Sequence, residues 1–196
     1  MLDKNKKLNL YPSSYYETLN FEQLRVFCHF NARYGLPTIE LVDWLKKEIG
    51  DLKAIEIGAG SGDLGHHLGI PMTDNHCQEW PDVRLIYSAT QQPLIKYGVD
   101  VERLDALEAI EKYKPDVVLG SWVTQWIDPN KPPPFGGGSV YGIKENLILE
   151  RVRKYIVIGA VEIHKYKEIM KLPHKTYELP FLWSRRKDNR IWVWEN

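Results

Sequence analysis

Ala54-Ile55-Glu56-Ile57 runs into Gly58-Ala59-Gly60-Ser61-Gly62, after which residues 63–68 take up a helical pattern. A strand that ends in glycines and turns straight into a helix brings backbone N–H groups and the positive end of the helix dipole toward a ligand. Three alternating glycines exceed what a tight turn needs, so this loop reads as a place where bare backbone approaches a bound molecule. The geometry suits a phosphate or a carboxylate.

The pattern then alternates. Residues 70–74 read as a brief strand, 81–89 as a helix with Pro81 in its first turn, 99–104 as a third strand, 106–113 as a helix, and Asp116-Val117-Val118-Leu119 as a buried strand. Residues 145–154 return to helix and 155–159 to strand. Phe181-Leu182-Trp183-Ser184-Arg185 and Ile191-Trp192-Val193-Trp194 flank Lys187-Asp188-Asn189 as an antiparallel hairpin. Strand and helix in alternation indicate a parallel sheet with helices on both faces. Ahead of it, residues 21–33 carry Phe21, Leu24, Phe27, Cys28 and Phe30 at helical spacing, and Thr38 caps a second amphipathic helix that stops at Gly50. These two helices form a cap on the main sheet. Residues 128–142 gather Pro129, Pro132, Pro133, Pro134 and Gly136-Gly137-Gly138 in one irregular run, read as a lid, a binding loop or a disordered segment.

Composition narrows the partners. With 26 basic and 26 acidic residues in 196, the chain has no global field that would steer it toward nucleic acid or anionic lipid. Lys4 to Lys7 and Arg185-Arg186-Lys187 read as solvated faces. Cys28 and Cys77 stand in no metal or disulfide spacing, so no metal site is expected and both read as free thiols in a reducing compartment. The start is polar and no apolar stretch is long enough to span a bilayer, which leads to the expectation of a cytoplasmic protein. Seven tryptophans and eleven tyrosines supply the side chains that line pockets or fill a core. The oligomeric state has no signature in the sequence.

Three ligand classes compete for the glycine loop. The lysine and hydroxyl ending of a triphosphate-binding loop is absent. A dinucleotide motif counted from Gly58 meets Asp63 where a third glycine belongs, although Gly60, Gly62 and Gly65 fit one step later. With Glu56 two residues before the first glycine, the segment resembles motif I of class I S-adenosylmethionine-dependent methyltransferases, in which the loop wraps the methionine part of the cofactor. The resemblance extends over residues 53–159. Asp74 matches the acidic residue that accepts the ribose hydroxyls, with Glu79 as the fallback; Asp105-Ala106 matches the position beside the adenine amine; and Ser121 ends the strand facing the transferred methyl.

The resemblance implies a doubly wound, mostly parallel seven-stranded α/β sheet of order 3-2-1-4-5-7-6 with an antiparallel last strand. Residues 1–50 then form a helical extension packed on the domain of residues 51–196. It implies S-adenosyl-L-methionine as cofactor, with Glu56, Gly58, Ala59, Gly60, Gly62, Asp74, Asp105, Ala106 and Ser121 around it. Asp74 and Asp105 also have plain structural readings, a local turn cap and a helix N-cap.

Trp122, Gln125 and Trp126 are the substrate candidates, the two tryptophans sharing a face if residues 123–127 turn helically. Methyl transfer from a sulfonium needs alignment more than a catalytic residue. His66, His67, His76 and His164 are candidate bases, and none is assigned the role. Lys131-Pro132-Pro133-Pro134-Phe135 partly resembles a motif of amino-methylating nucleic-acid enzymes but lies too far past Ser121 to match it. The expected activity is methyl transfer to a small-molecule or protein acceptor. A non-catalytic cofactor-binding module of the same fold and a nicotinamide-dependent oxidoreductase are the alternatives.

Overall fold

The computed structural model describes residues 1–4, 6–130 and 138–196; the central part of the Pro/Gly-rich run, with Pro132 to Pro134, lies outside them. The helices among the described residues are α1 (Ser13–Glu17), α2 (Phe21–Phe30), α3 (Ile39–Ile49), α4 (Asp63–Leu68), α5 (Pro81–Ala89), α6 (Ala106–Tyr113), α7 (Glu145–Leu149) and α8 (Val161–His164). The strands of the main sheet are β1 (Ala54–Ile57), β2 (Met72–Asp74), β3 (Glu102–Arg103), β4 (Val117–Ser121), β5 (Lys154–Ala160), β6 (Lys175–Tyr177) and β7 (Asn189–Glu195).

Their order across the sheet is β3-β2-β1-β4-β5-β7-β6, the order 3-2-1-4-5-7-6 expected from the sequence. The pairs among β1 to β5 are parallel, and β7 runs antiparallel to both β5 and β6. This is a Rossmann-like, doubly wound α/β fold with a reversed strand near one edge. The chain leaves β1 toward β2 on one side and returns to β4 on the other, so a crevice opens at the carboxyl ends of β1 and β4.

Side-chain alternation builds a core on each face. Val118 of β4 and Tyr155 and Val157 of β5 turn toward α6 and α7, where Ala109, Ile110 and Ile148 pack. Val117, Leu119, Ile156 and Ile158 turn the other way onto Leu41, Val42, Leu45 and Ile49 of α3. Burial on both faces explains why these strands read as continuous apolar runs. A further cluster joins Leu8, Tyr16, Leu24, Cys28 and Leu36, and Trp183 packs against it.

Several boundaries moved. The predicted helix 145–154 stops at Leu149, because Arg153 and Lys154 donate their N–H groups to Asp116 O and start β5. The predicted strand 99–104 shrinks to Glu102–Arg103, with Val99 fully exposed. The predicted hairpin is corrected: Trp183–Ser184 pairs with Gly35–Leu36 in a separate ribbon, and Lys175–Tyr177 is the strand beside β7. Trp183 leaves the sheet because its ring stacks on Tyr16 at 5.7 Å and its indole N–H donates to Ser13 Oγ at 2.9 Å. No helix among the described residues is long and apolar enough to cross a membrane.

Candidate functional site

The glycine loop lies at the carboxyl end of β1. Gly58, Gly60 and Gly62 have φ of 57°, 57° and 71°, the left-handed region where a side chain is strained. At Gly58 a Cβ would also come within 2.8 Å of Val123 Cγ1, so the loop is pressed against the chain leaving β4. Gly65 serves another purpose: its missing side chain lets α4 approach Met72 and the Glu56 carboxyl.

The loop's hydrogen bonds overturn one expectation. Its N–H groups are largely engaged: Ala59 N–H donates to Thr73 O, Gly62 N–H to Ala59 O, and Gly60 N–H to Asp74 Oδ2 at 3.0 Å. Glu56 Oε2 accepts from Gly65 N–H at 2.8 Å in the first turn of α4. Two of the protein's own carboxyl groups thus occupy donors that a bound anion would need. Burial pushes the Glu56 carboxyl up to about 8, against the opposing pull of the Gly65 bond. Asp74 is likewise raised by burial, its bonds from His76 and Gly60 N–H acting against the shift.

In front of the loop is a cavity of about 420 Å³, within the size range of ligand sites. Glu56, Gly58, Ala59, Gly60, Asp74, Asp105, Ala106, Ser121 and Trp122 all line it. Gly62 does not appear in its wall; there Val101, Met72 and Lys7 pack closely. Asp74 ends β2 and binds the loop through one oxygen and His76 N–H through the other, at 2.9 Å. Asp105 caps α6 in a reciprocal box with Glu108. Glu79 faces outward toward Arg103 and does not line the cavity.

Gln125 and Trp126 stand outside the cavity wall. They lie in a short extended ribbon with Gly138–Ser139, not in a helical turn, so Trp122 and Trp126 share no helix face. Gln125 is buried, accepting from Glu168 N–H at 3.0 Å and donating to Tyr166 O. Trp126 is partly exposed with the Lys144 ammonium over its ring. Trp122 holds φ of 60°, rare for a bulky residue, while its N–H continues the sheet to Ile158 O.

The histidines are placed away from the wall of the cavity. His66 faces Asp100 at 3.4 Å, and His67 Nε2 contacts Leu8 O at 2.7 Å. His76 stacks on Tyr97 with ring centres 3.9 Å apart. His164 is fully buried, and desolvation, with Lys167 nearby, lowers it to about 4.

Lys7, expected with Lys4 to Lys7 on a solvated face, is instead buried against the loop, and sequence reasoning gave no site role to the side chains that meet there. Asp63 accepts from Leu8 N–H and Ser61 Oγ and lies 3.0 Å from Arg33 Nε. Lys7 Nζ donates to Ser61 O and Asp100 Oδ1. Tyr34, Gln78, Tyr87, Tyr97 and Tyr141 also line the cavity. Each comes from a segment remote from the glycine motif, and single tyrosines or arginines carry no spacing signal.

No family model and no curated protein matches this chain. Solved structures similar to it include protein 1320 of Thermoplasma acidophilum, at 15% identity, TM-score 0.36, over 76% of this chain and 80% of that one. Another is SMU.776, a candidate methyltransferase complexed with SAH, at 9% identity and TM-score 0.36, over 76% of this chain and 47% of that one. A third is PH1948 of Pyrococcus horikoshii, a candidate RNA methyltransferase, at 15% identity and TM-score 0.38, over 89% of this chain and 97% of that one.

Proposed function

We propose that the chain binds S-adenosyl-L-methionine in the cavity before the glycine loop and transfers its methyl group to a small-molecule or protein acceptor. The observation that carries this reading is the occupation of the Gly60 and Gly65 N–H groups by Asp74 and Glu56. A dinucleotide's pyrophosphate needs those donors free, whereas a cofactor with ribose hydroxyls and a cationic amino acid part is complementary to carboxylates. The reversed β7 supports the same choice, since the dinucleotide fold continues with parallel strands.

In this reading Asp74, at the end of β2, keeps lone pairs for the ribose hydroxyls while its bonds to Gly60 and His76 N–H fix its orientation. Leu104, Asp105 and Ala106 border the adenine end, and Ser121 the methyl. When bound, the cofactor supplies the electrophilic methyl. The chain's residues align it and exclude water.

Asp74→Asn tests the ribose role. The amide keeps one acceptor for Gly60 N–H, so the account predicts a modest fall in melting temperature and a loss of about 10-fold or more in affinity for S-adenosylhomocysteine, one charged hydrogen bond's worth. Calorimetric titration of the variant and the parent protein measures it; unchanged affinity would leave Asp74 a turn cap alone.

A further inference from the structure

A ligand with an amino acid part brings a carboxylate as well as an ammonium, and the glycine loop offers that carboxylate little. The Gly60 and Gly65 N–H groups hold Asp74 and Glu56, while the Ala59 and Gly62 N–H groups bind backbone carbonyls. Among the described residues that line the cavity, Arg33 is the sole lysine, arginine or histidine. Arg185 lies beside the wall, 4.2 Å from the Tyr34 ring, and does not line it. The other charged groups of the wall, Glu56, Asp63, Asp74 and Asp105, are carboxyls, so Arg33 decides where an anion can sit.

Arg33 is only 6% exposed, and its donors are partly idle. Nη2 donates to Lys6 O at 2.7 Å. Nε lies 3.0 Å from Asp63 Oδ2, close enough for charge pairing, yet it makes no hydrogen bond. A buried donor without an acceptor is costly, and a guanidinium presents its donors in a fixed fork that matches a carboxylate. Asp63 does not consume that fork, because its oxygens already accept from Leu8 N–H and Ser61 Oγ–H. The Lys7 ammonium, buried beside Gly62 and Ser61, adds positive charge at the same end of the loop. Asp63 is the first residue of α4, whereas Asp74 ends β2 and Asp105 caps α6, so Arg33 stands on a different element from the residues assigned to ribose and adenine.

We propose, resting on the S-adenosylmethionine reading above, that Arg33 anchors the carboxylate of the cofactor's amino acid part and that this contact locks residues 6–8 onto the glycine loop. The same guanidinium holds Lys6 O, Asp63 holds Leu8 N–H, and Lys7 Nζ holds Ser61 O. An anion that fixes Arg33 therefore stiffens the segment as a unit. The cofactor is read at two ends: Asp74 meets the ribose, and Arg33 separates ligands that carry an amino acid carboxylate from those that lack one.

The test is calorimetric titration of the full chain with S-adenosylhomocysteine and with S-adenosyl-3-thiopropylamine, the same molecule without its carboxylate. The parent protein is expected to bind S-adenosylhomocysteine about 10-fold or more tightly, the weight of one charge-assisted pair. Arg33→Met is expected to close that gap by weakening S-adenosylhomocysteine alone. Should Arg33→Met fail to fold, Arg33→Lys, which keeps a cation beside Asp63 but not the fork, is expected to narrow the gap. Hydrogen exchange at the Leu8 amide of the parent protein is expected to slow more under saturating S-adenosylhomocysteine than under the saturating thiopropylamine. Equal affinities in the parent, a gap unchanged in the variant, equal weakening of both ligands by the substitution, or Leu8 exchange that responds alike to both would each overturn the proposal. Failure of S-adenosylhomocysteine to bind the parent would instead remove the underlying cofactor reading.

Discussion

Glu56 and His164 place opposing limits on the pH range of the folded chain. Glu56 is raised to about 8 in the folded state, so the native form holds its proton more tightly than the unfolded chain does. That stability is complete below the ordinary carboxylate range and is lost as pH rises through 8. His164 is depressed to about 4, so stability is complete above the usual histidine range and is lost as pH falls through 4. The account predicts greatest stability in mildly acidic solution. In thermal melts Glu56→Gln should flatten the decline on the alkaline side; a decline that persists unchanged would place its origin elsewhere. Glu56 was legible in the sequence as part of the glycine motif, but its contact with Gly65 was not, because that contact depends on how closely α4 approaches β1. Asp74 shows the same division: sequence order gave its place, and only folding shows that both its oxygens already hold backbone.

At the scale of elements, the segment after β4 is fixed by a buried polar cluster. Lys167 Nζ and Tyr155 OH both donate to Glu145 Oε1 at 2.8 Å, with Lys167 and Glu145 almost fully excluded from solvent. The cluster ties the start of α7 to the chain beyond α8, beside the Gln125 staple. Removing one partner leaves the other charge buried, so Lys167→Met should cost about 3–5 kcal/mol in chemical denaturation, and adding Glu145→Leu should recover much of it. A milder single-variant loss would mean that water reaches the site. This cluster joins residues 22 positions apart, with no periodicity to announce it. β1, β4, β5, α3 and α6 were readable, since apolar runs and helical spacing are local. The partner of β7 was not: Trp183 reads as part of the strand beside β7 and instead pairs with Gly35–Leu36 and completes the N-terminal cluster with Tyr16.

For the whole molecule, the N-terminal segment is part of the core. α3 covers one face of the sheet through Leu41, Val42, Leu45 and Ile49, while Lys7, Leu8 and Arg33 hold Ser61, Asp63 and Asp100 beside the glycine loop. A chain beginning at residue 51 is therefore expected to lose cooperative unfolding, as a doubly wound sheet requires both faces covered. A sharp melting transition in circular dichroism of that fragment would contradict this. The alternation of elements made a parallel sheet with helices on both faces legible, and the order of the strands came from the resemblance alone. The aromatic lining of the cavity was not legible, since Tyr34, Tyr87 and Trp122 converge from three distant segments.

The central claim is that Glu56 and Asp74, by holding the Gly65 and Gly60 N–H groups, turn this loop from an anion site into one for S-adenosylmethionine. Parallel calorimetric titrations of the full chain with S-adenosylhomocysteine and with NADH test it most directly. The account predicts saturable binding of S-adenosylhomocysteine at one site per chain and none of NADH; saturable binding of NADH without S-adenosylhomocysteine binding would contradict it.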